Sequence, residues 1–273
     1  MTAEEKTTLA RFLDLTGDYL KDGHTRNRVD HSFEDDPTPV KSSPPPGDFS
    51  SLPLAYQIDE NENAGETDYT AQSSFSAQTL EDISAAVRNC KACGLSAARN
   101  LTVVGEGVPS PLVMVIGEGP GADEDKAGRP FVGRAGQLLD KMLASISLSR
   151  DKNCYIANMV KCRPPGNRDP EPGEIAACFP FLRQQILLLR PRMILCAGRV
   201  AAQNLLKTSK GINALRGEIV ELKINSTGGD TEEMNIPVLC TFHPSAILRD
   251  ESLKRPAWED LKLLRSKLES FKE

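Results

Sequence analysis

Apolar residues in this 273-residue chain gather into short runs after about residue 76 and are sparse before it. Leu112–Gly117, Cys154–Val160, Met193–Ala197 and Val238–Phe242 are near-continuous apolar runs of strand length, and the first ends in a glycine-rich turn. Ile219–Leu222 reads as a shorter strand or hairpin arm. Between the runs, apolar positions fall at 135, 138, 139, 142, 143 and 146, which is helical spacing. Helices are also predicted over Ile175–Leu189, interrupted or kinked at Pro180, over Val200–Leu206, and over Ala257–Phe271 at the end. Thr79 with Asp82 three residues later marks a helix start leading to Ile83 and Val87. Strands alternating with helices predict a three-layer α/β/α sandwich around a central, mostly parallel, four-stranded sheet. In such sheets ligands bind outside the carboxyl ends of the strands. Gly117-Glu118, Asn158 and His243 each fall at or just past such an end, which points to one shared pocket.

The N-terminal part differs in kind. Residues 1–22 contain one amphipathic helical pattern, with Leu9, Phe12, Leu13 and Leu20 roughly on one side, either a frayed or domain-docked element or a tethered peptide for a protein partner. Residues 23–76 are acidic and rich in Pro and Ser, and read as a disordered linker. The folded domain is expected over 77–273.

Charge follows the same division. Residues 1–88 hold seven Lys/Arg against seventeen Asp/Glu, whereas 89–273 hold 26 against 21, so the net −5 hides an acidic arm on a basic body. A basic body suits a phosphate backbone, and the arm either shields that surface, tethers a partner or acts as a passive linker. No apolar run approaches the length of a membrane span and no secretory signal pattern opens the chain, so a cytoplasmic protein is expected, with no membrane association and as a monomer.

Seven cysteines without a secretory signal favour thiols or metal ligands over disulfides. Cys154, Cys196 and Cys240 lie in strand-like runs and read as small buried hydrophobes. Cys90 and Cys93 form a C-x-x-C pair, and Cys162 and Cys178 lie far downstream with fifteen residues between them. Four thiols in two pairs suggest zinc, an iron–sulfur cluster or unligated thiols, and so wide a second pair is atypical of zinc knuckles.

Four segments together resemble one family. They are Gly117-Glu118-Gly119-Pro120-Gly121, Gly128-Arg129-Pro130-Phe131-Val132-Gly133, Asn158-Met159-Val160-Lys161-Cys162-Arg163-Pro164-Pro165 and His243-Pro244-Ser245. In order and cysteine spacing, over about residues 80–270, they resemble the iron–sulfur (family 4) uracil-DNA glycosylases. The resemblance implies the uracil-DNA glycosylase fold, uracil-containing DNA as substrate, base excision repair as context and a [4Fe-4S] cluster on Cys90, Cys93, Cys162 and Cys178. A flipped-out uracil needs a π-face, which Phe131 offers. Its O4 acceptor and N3–H donor match one side-chain amide, Asn158, whereas cytosine reverses that pattern. His243 would donate to O2 as the base leaves with negative charge. Main-chain N–H groups at Glu118-Gly119 are further donors to the base.

The water-activating group is less defined. Cluster-free uracil glycosylases place an aspartate where this chain has Gly119, so no base carries across. Glu118 is the nearest carboxylate, to position water or orient the turn, with Asp123 following in the loop. Glu124 is expected to block the C5 side, where the methyl of thymine would clash. Dissociative cleavage would not require a strong base. Lys161, Arg163 and Arg168 are expected to contact phosphates, as is Arg249, and Ile247 or Leu248 to wedge into the gap left by the base.

Two rival functions compete with this expectation. A covalent uracil trap would need a histidine in the loop after the second strand, but the only histidines are His24, His31 and His243. A non-catalytic DNA- or uracil-binding module retaining the fold is the alternative that turnover would separate. No motif places a Schiff-base lysine, so a monofunctional hydrolase is expected.

Overall fold

The computed structural model describes residues 75–225 and 233–271. The expected N-terminal helix, and the acidic linker up to residue 74, lie outside the described residues. The body opens with α1 (Leu80–Asn89), capped as the sequence suggests: Thr79 accepts from the Asp82 N–H, and the Asp82 carboxylate accepts from the Thr79 N–H. Then come β1 (Glu106–Gly107), β2 (Val113–Gly117), α2 (Ala122–Ala127), α3 (Arg134–Ala144) and β3 (Cys154–Asn158). The second half runs α4 (Pro172–Leu189), β4 (Met193–Ala197), α5 (Arg199–Leu206), α6 (Ile212–Leu215), β5 (Ile219–Asn225), β6 (Glu233–Thr241), α7 (Pro244–Arg249) and α8 (Lys254–Glu269).

The strands form one sheet in the order β1-β3-β2-β4-β6-β5. The four inner strands are parallel, as expected, while β1 and β5 add antiparallel edges that make six. β2, β3 and β4 are buried along their whole length, the signature of a sheet covered on both faces. Period-two alternation then divides the core. Met114 and Ile116 join Leu182, Ile186, Ala201 and Leu205 from α4 and α5 on one face. Val113 and Val115 join Leu139, Met142 and Leu143 of α3, and Trp258, Leu261 and Leu264 of α8, on the other. At about 1.5–3 kcal/mol for each large apolar side chain buried, these two layers fix the strand ends that carry the site. Cys154, Cys196 and Cys240 are part of these cores.

Of the interruption or kink expected at Pro180, the interruption does not occur: α4 runs unbroken for 18 residues. Pro180 removes one helical hydrogen bond, but Cys178, Phe179 and Leu182 beside it are all buried, and that packing outweighs the loss. No helix among the described residues is long and apolar enough to cross a membrane.

Candidate active site

The carboxyl ends of β2, β3, β4 and β6 lie side by side, and each delivers one element of the site. Gly117 closes β2 and stands in register with Asn158, which closes β3. A Cβ on Gly117 would lie 2.5 Å from Asn158 Oδ1 and 2.6 Å from Phe131 Cζ, so a glycine here lets amide and ring share one corner. Asn158 is 1% exposed, and its Oδ1 has no hydrogen-bond partner. An unpaired buried acceptor costs about 1–3 kcal/mol, so this one awaits a donor.

Phe131 reaches the corner through a left-handed backbone, φ 53°. Such a conformation is unfavourable for a bulky residue and must be imposed by its surroundings. Arg150 imposes it, donating to the Pro130 and Phe131 carbonyls at 3.0 Å each while the Asp140 carboxylate holds its guanidinium. Glu124 braces the same turn from the other side. Its carboxylate accepts from the N–H groups of Gly121, Val132 and Gly133 at 3.1, 2.8 and 2.9 Å, tying the two glycine-rich turns together. The sequence suggested a wall for Glu124; its oxygens are engaged with main chain.

His243 follows β6 and caps α7. Its ring centroid is 5.6 Å from that of Phe131. Nδ1 accepts from the Ser245 N–H at 3.2 Å and lies 2.7 Å from Ser245 Oγ. With Nδ1 accepting, the ring proton resides on Nε2. Burial, assisted by the Arg249 charge and opposed by Glu124, lowers the His243 pKa to about 4, so the ring is a neutral donor at physiological pH. Gly198, just past β4, holds φ +99° and donates to the Thr241 carbonyl at 2.9 Å. A Cβ there would stand 2.8 Å from the His243 Cβ.

Glu118 follows Gly117. Burial and the neighbouring Asp169 carboxylate raise its pKa to about 7, against the pull of Arg199, which is ion-paired with Asp169. Near neutrality it therefore exists in both protonation states. Gly119 presses on the continuation of β3: a Cβ there would meet Val160 Cγ2 at 2.8 Å.

The four cysteines of interest come from three segments. Cys162 and Cys178 are buried, and Cys90 and Cys93 half-buried. The Cys162 thiol feels the charges of Cys90 and Cys93, and Cys178 those of Cys162 and Cys93, so all four share one neighbourhood. Their sulfurs accept from Arg99 Nη1 (3.1 Å to Cys162), the Lys161 N–H (3.2 Å to Cys178) and the Ala92 N–H (3.5 Å to Cys90). Burial pushes the Cys178 thiol up to about 12. Among the described residues, no group of three or more His, Cys, Asp or Glu is arranged to hold a metal ion.

Two expected DNA contacts are corrected. Lys161, expected at a phosphate, is 1% exposed and turns inward, its Nζ donating to the Asn158 carbonyl and to Gln185 Oε1. Ile247, one of two proposed wedges, is fully buried in the core beneath α7, because helix formation after His243 turns it towards α3 and α8. Leu248 is only partly buried, and Arg249 is exposed. Arg163 donates to Asn167 Oδ1 at 2.7 Å, and Arg168 forms a two-pronged pair with Glu174 at 2.8 and 2.7 Å. Sequence reasoning gave no role to Gly198, Arg150, Ser245 or Arg99. Ser245 alone was signalled, as part of His243-Pro244-Ser245.

The family model of the uracil DNA glycosylase superfamily matches residues 104–262. A Type-4 uracil-DNA glycosylase of Sulfurisphaera tokodaii is 42% identical over 192 residues, covering 68% of this chain and 84% of that protein. One from Thermotoga maritima is 42% identical over 192 residues, covering 69% and 94%. A third, from Archaeoglobus fulgidus, is 38% identical over 189 residues, covering 68% and 91%.

Proposed function

The chain belongs to the uracil-DNA glycosylase superfamily, and from that premise we propose that it hydrolyses uracil from DNA and leaves an abasic site for base excision repair. The observation that carries the reading is the unpaired Asn158 Oδ1 at the corner shared with Phe131, close to His243. A uracil turned out of the helix supplies what that corner lacks. Its N3–H donates to Oδ1, its O4 accepts from the same amide, and its ring lies against Phe131.

As the bond from the sugar to N1 lengthens, negative charge collects on O2. The neutral His243 ring donates its Nε2–H there, a stabilisation of the kind whose loss slows reactions about 10²–10³-fold. Glu118, ionised in part near neutrality, orients the water that attacks the sugar, and a dissociative transition state does not require a stronger base. Glu124 and Gly119 bound the base pocket. Arg163, Arg168 and Arg249 are the candidates to position phosphates, and Leu248 to fill the gap left by the base.

Cys90, Cys93, Cys162 and Cys178 are the residues to hold a [4Fe-4S] cluster. The chemistry of the donors supports this reading, although they are not drawn together as a metal site: four thiols in one neighbourhood, with N–H groups aimed at three of the sulfurs. Such a cluster would supply a structural cross-link among the segments that carry these cysteines.

The test is uracil release from a single-uracil oligonucleotide, read by alkaline strand scission, with His243→Ala and Asn158→Asp beside the parent. Scission by the parent, a loss of about 10²-fold or more in His243→Ala, and new release of cytosine by Asn158→Asp are expected. An iron-loaded preparation that binds the strand and never cuts it would make the protein a binding module instead.

A further inference from the structure

Among the described residues Lys161 is the most deeply buried lysine, and the proposed chemistry gives it no part. It is 1% exposed and ranks among the largest fully buried side chains. Its ammonium meets two neutral acceptors, the Asn158 carbonyl at 2.9 Å and Gln185 Oε1 at 2.7 Å, and among the described residues it has no carboxylate partner. Besides these neutral oxygens the ammonium feels the charge of the Cys178 sulfur, yet its burial is costly, and an apolar side chain of the same volume would fill the space more stably. The arrangement therefore calls for a role other than packing.

The surrounding contacts say which. Gln185 is fully buried on α4 and donates to the Val104 carbonyl at 3.0 Å and the Tyr155 hydroxyl at 3.3 Å, so the oxygen it offers Lys161 is itself fixed. The main chain of Lys161 is pinned at both ends, its N–H to Cys178 Sγ at 3.2 Å and its carbonyl by the Val103 N–H at 2.8 Å. From that anchored base the side chain folds back three residues and grips the peptide group that carries Asn158. The loop leaving β3 is thereby bolted to α4 at the residue that faces the base.

We propose that Lys161, with Gln185, is a positioning residue that sets the Asn158 amide for uracil, acting through the Asn158 carbonyl and touching neither base nor phosphate. The proposal rests on the reading of Asn158 given above.

A double-mutant cycle tests it on the full-length, iron-loaded protein. Single-turnover excision at saturating protein is measured for the parent, Lys161→Met, Asn158→Ala and the double variant, with affinity for a uracil-free strand and iron content alongside. Lys161→Met is expected to slow excision about 10–100-fold, with strand affinity and iron content unchanged, and to have less than about a twofold effect when Asn158 is already alanine. An equal loss in both backgrounds would overturn the proposal, as would a loss confined to strand affinity or to iron. Should Lys161→Met fail to fold, Gln185→Leu, which removes the second acceptor, enters the same cycle with the same expectations. If Asn158→Ala alone excises uracil at the parent rate, the reading of Asn158 fails, and that outcome is separate from additivity in the cycle.

Discussion

Acidification separates the two titratable groups of the pocket, because the structure pushes them in opposite directions. His243 ionises at about 4 instead of 6.5, and Glu118 at about 7 instead of 4.5. The His243 displacement corresponds to about 3 kcal/mol favouring the neutral ring. At pH near 5.5 an ordinary histidine would be about nine-tenths protonated, whereas His243 would be protonated only to a few per cent. If the Glu118 carboxylate orients water, single-turnover excision by the parent falls about tenfold per pH unit below 7, or about 30-fold at pH near 5.5. Glu118→Gln starts slower and stays flat down to about pH 5, then bends as His243 takes up its proton. The assay is excision from a uracil oligonucleotide at saturating protein, in buffers of constant ionic strength, with circular dichroism confirming the fold. That control matters because the folded pKa of His243 lies below its unfolded value. Its neutral ring contributes stability that is complete above about 6.5 and is lost as pH falls towards about 4. A Glu118→Gln profile breaking near 6.5 would refute the buried neutral imidazole. A parent profile flat through 7 would remove Glu118 from the chemistry.

Three further outcomes follow from the contacts around the site. Gly198→Ala forces a side chain onto the His243 Cβ at a φ of +99°, so excision should fall about 10–100-fold with strand affinity unchanged; a loss in affinity alone would contradict it. Arg99→Leu removes the guanidinium that joins Cys162 Sγ to the Arg88 and Cys90 carbonyls; if the four cysteines hold the proposed cluster, iron should be released to a chelator several-fold faster than from the parent, followed by the fading of its colour, and an unchanged rate would contradict this role for Arg99. Asp260→Asn breaks a fully buried carboxylate's pairing with Arg216 and weakens its hold on the Thr241 hydroxyl. Urea unfolding should show a loss of about 3 kcal/mol, and a change within about 0.5 kcal/mol would mean that the pair contributes little.

The inner strands were legible because each is an apolar run that the sheet buries on both faces, a pattern that needs no knowledge of neighbours. β1 was not, since its two residues are Glu106 and Gly107 and its pairing depends on Gly107 adopting φ +146° against the backbone of Cys154 and Tyr155. Phe131, Asn158 and His243 could be picked out because they fall at strand ends or in a glycine-bounded turn. Lys161 and Ile247 were misplaced for a shared reason: sequence gives the charge or apolarity of a side chain but not its direction. Lys161 sits beside Arg163 in a basic stretch, and only the position of Gln185 on α4 turns it inward. Gly198 was invisible because its constraint comes from His243 on a different strand end.

On the proposed reading of Asn158, what the fold holds at this corner also explains how one amide would exclude cytosine. Asn158 shares a tight corner: only the missing side chain at Gly117 leaves room for its amide beside the Phe131 ring, and its own carbonyl is held by Lys161. Its Oδ1 gains a hydrogen bond only from a base that presents a donor at N3, as uracil does. Neutral cytosine presents a lone pair there and an amino group where uracil has O4, so both contacts would become repulsive or unpaired. Sites built to hydrogen-bond a specific edge reject an analogue lacking it by about 10⁴–10⁵. That magnitude depends on rigidity, since a mobile amide would flip and accept cytosine instead. A left-handed Phe131 clamped by Arg150 and a buried lysine gripping the Asn158 peptide are costly features by themselves, and rigidity at this corner is what they provide.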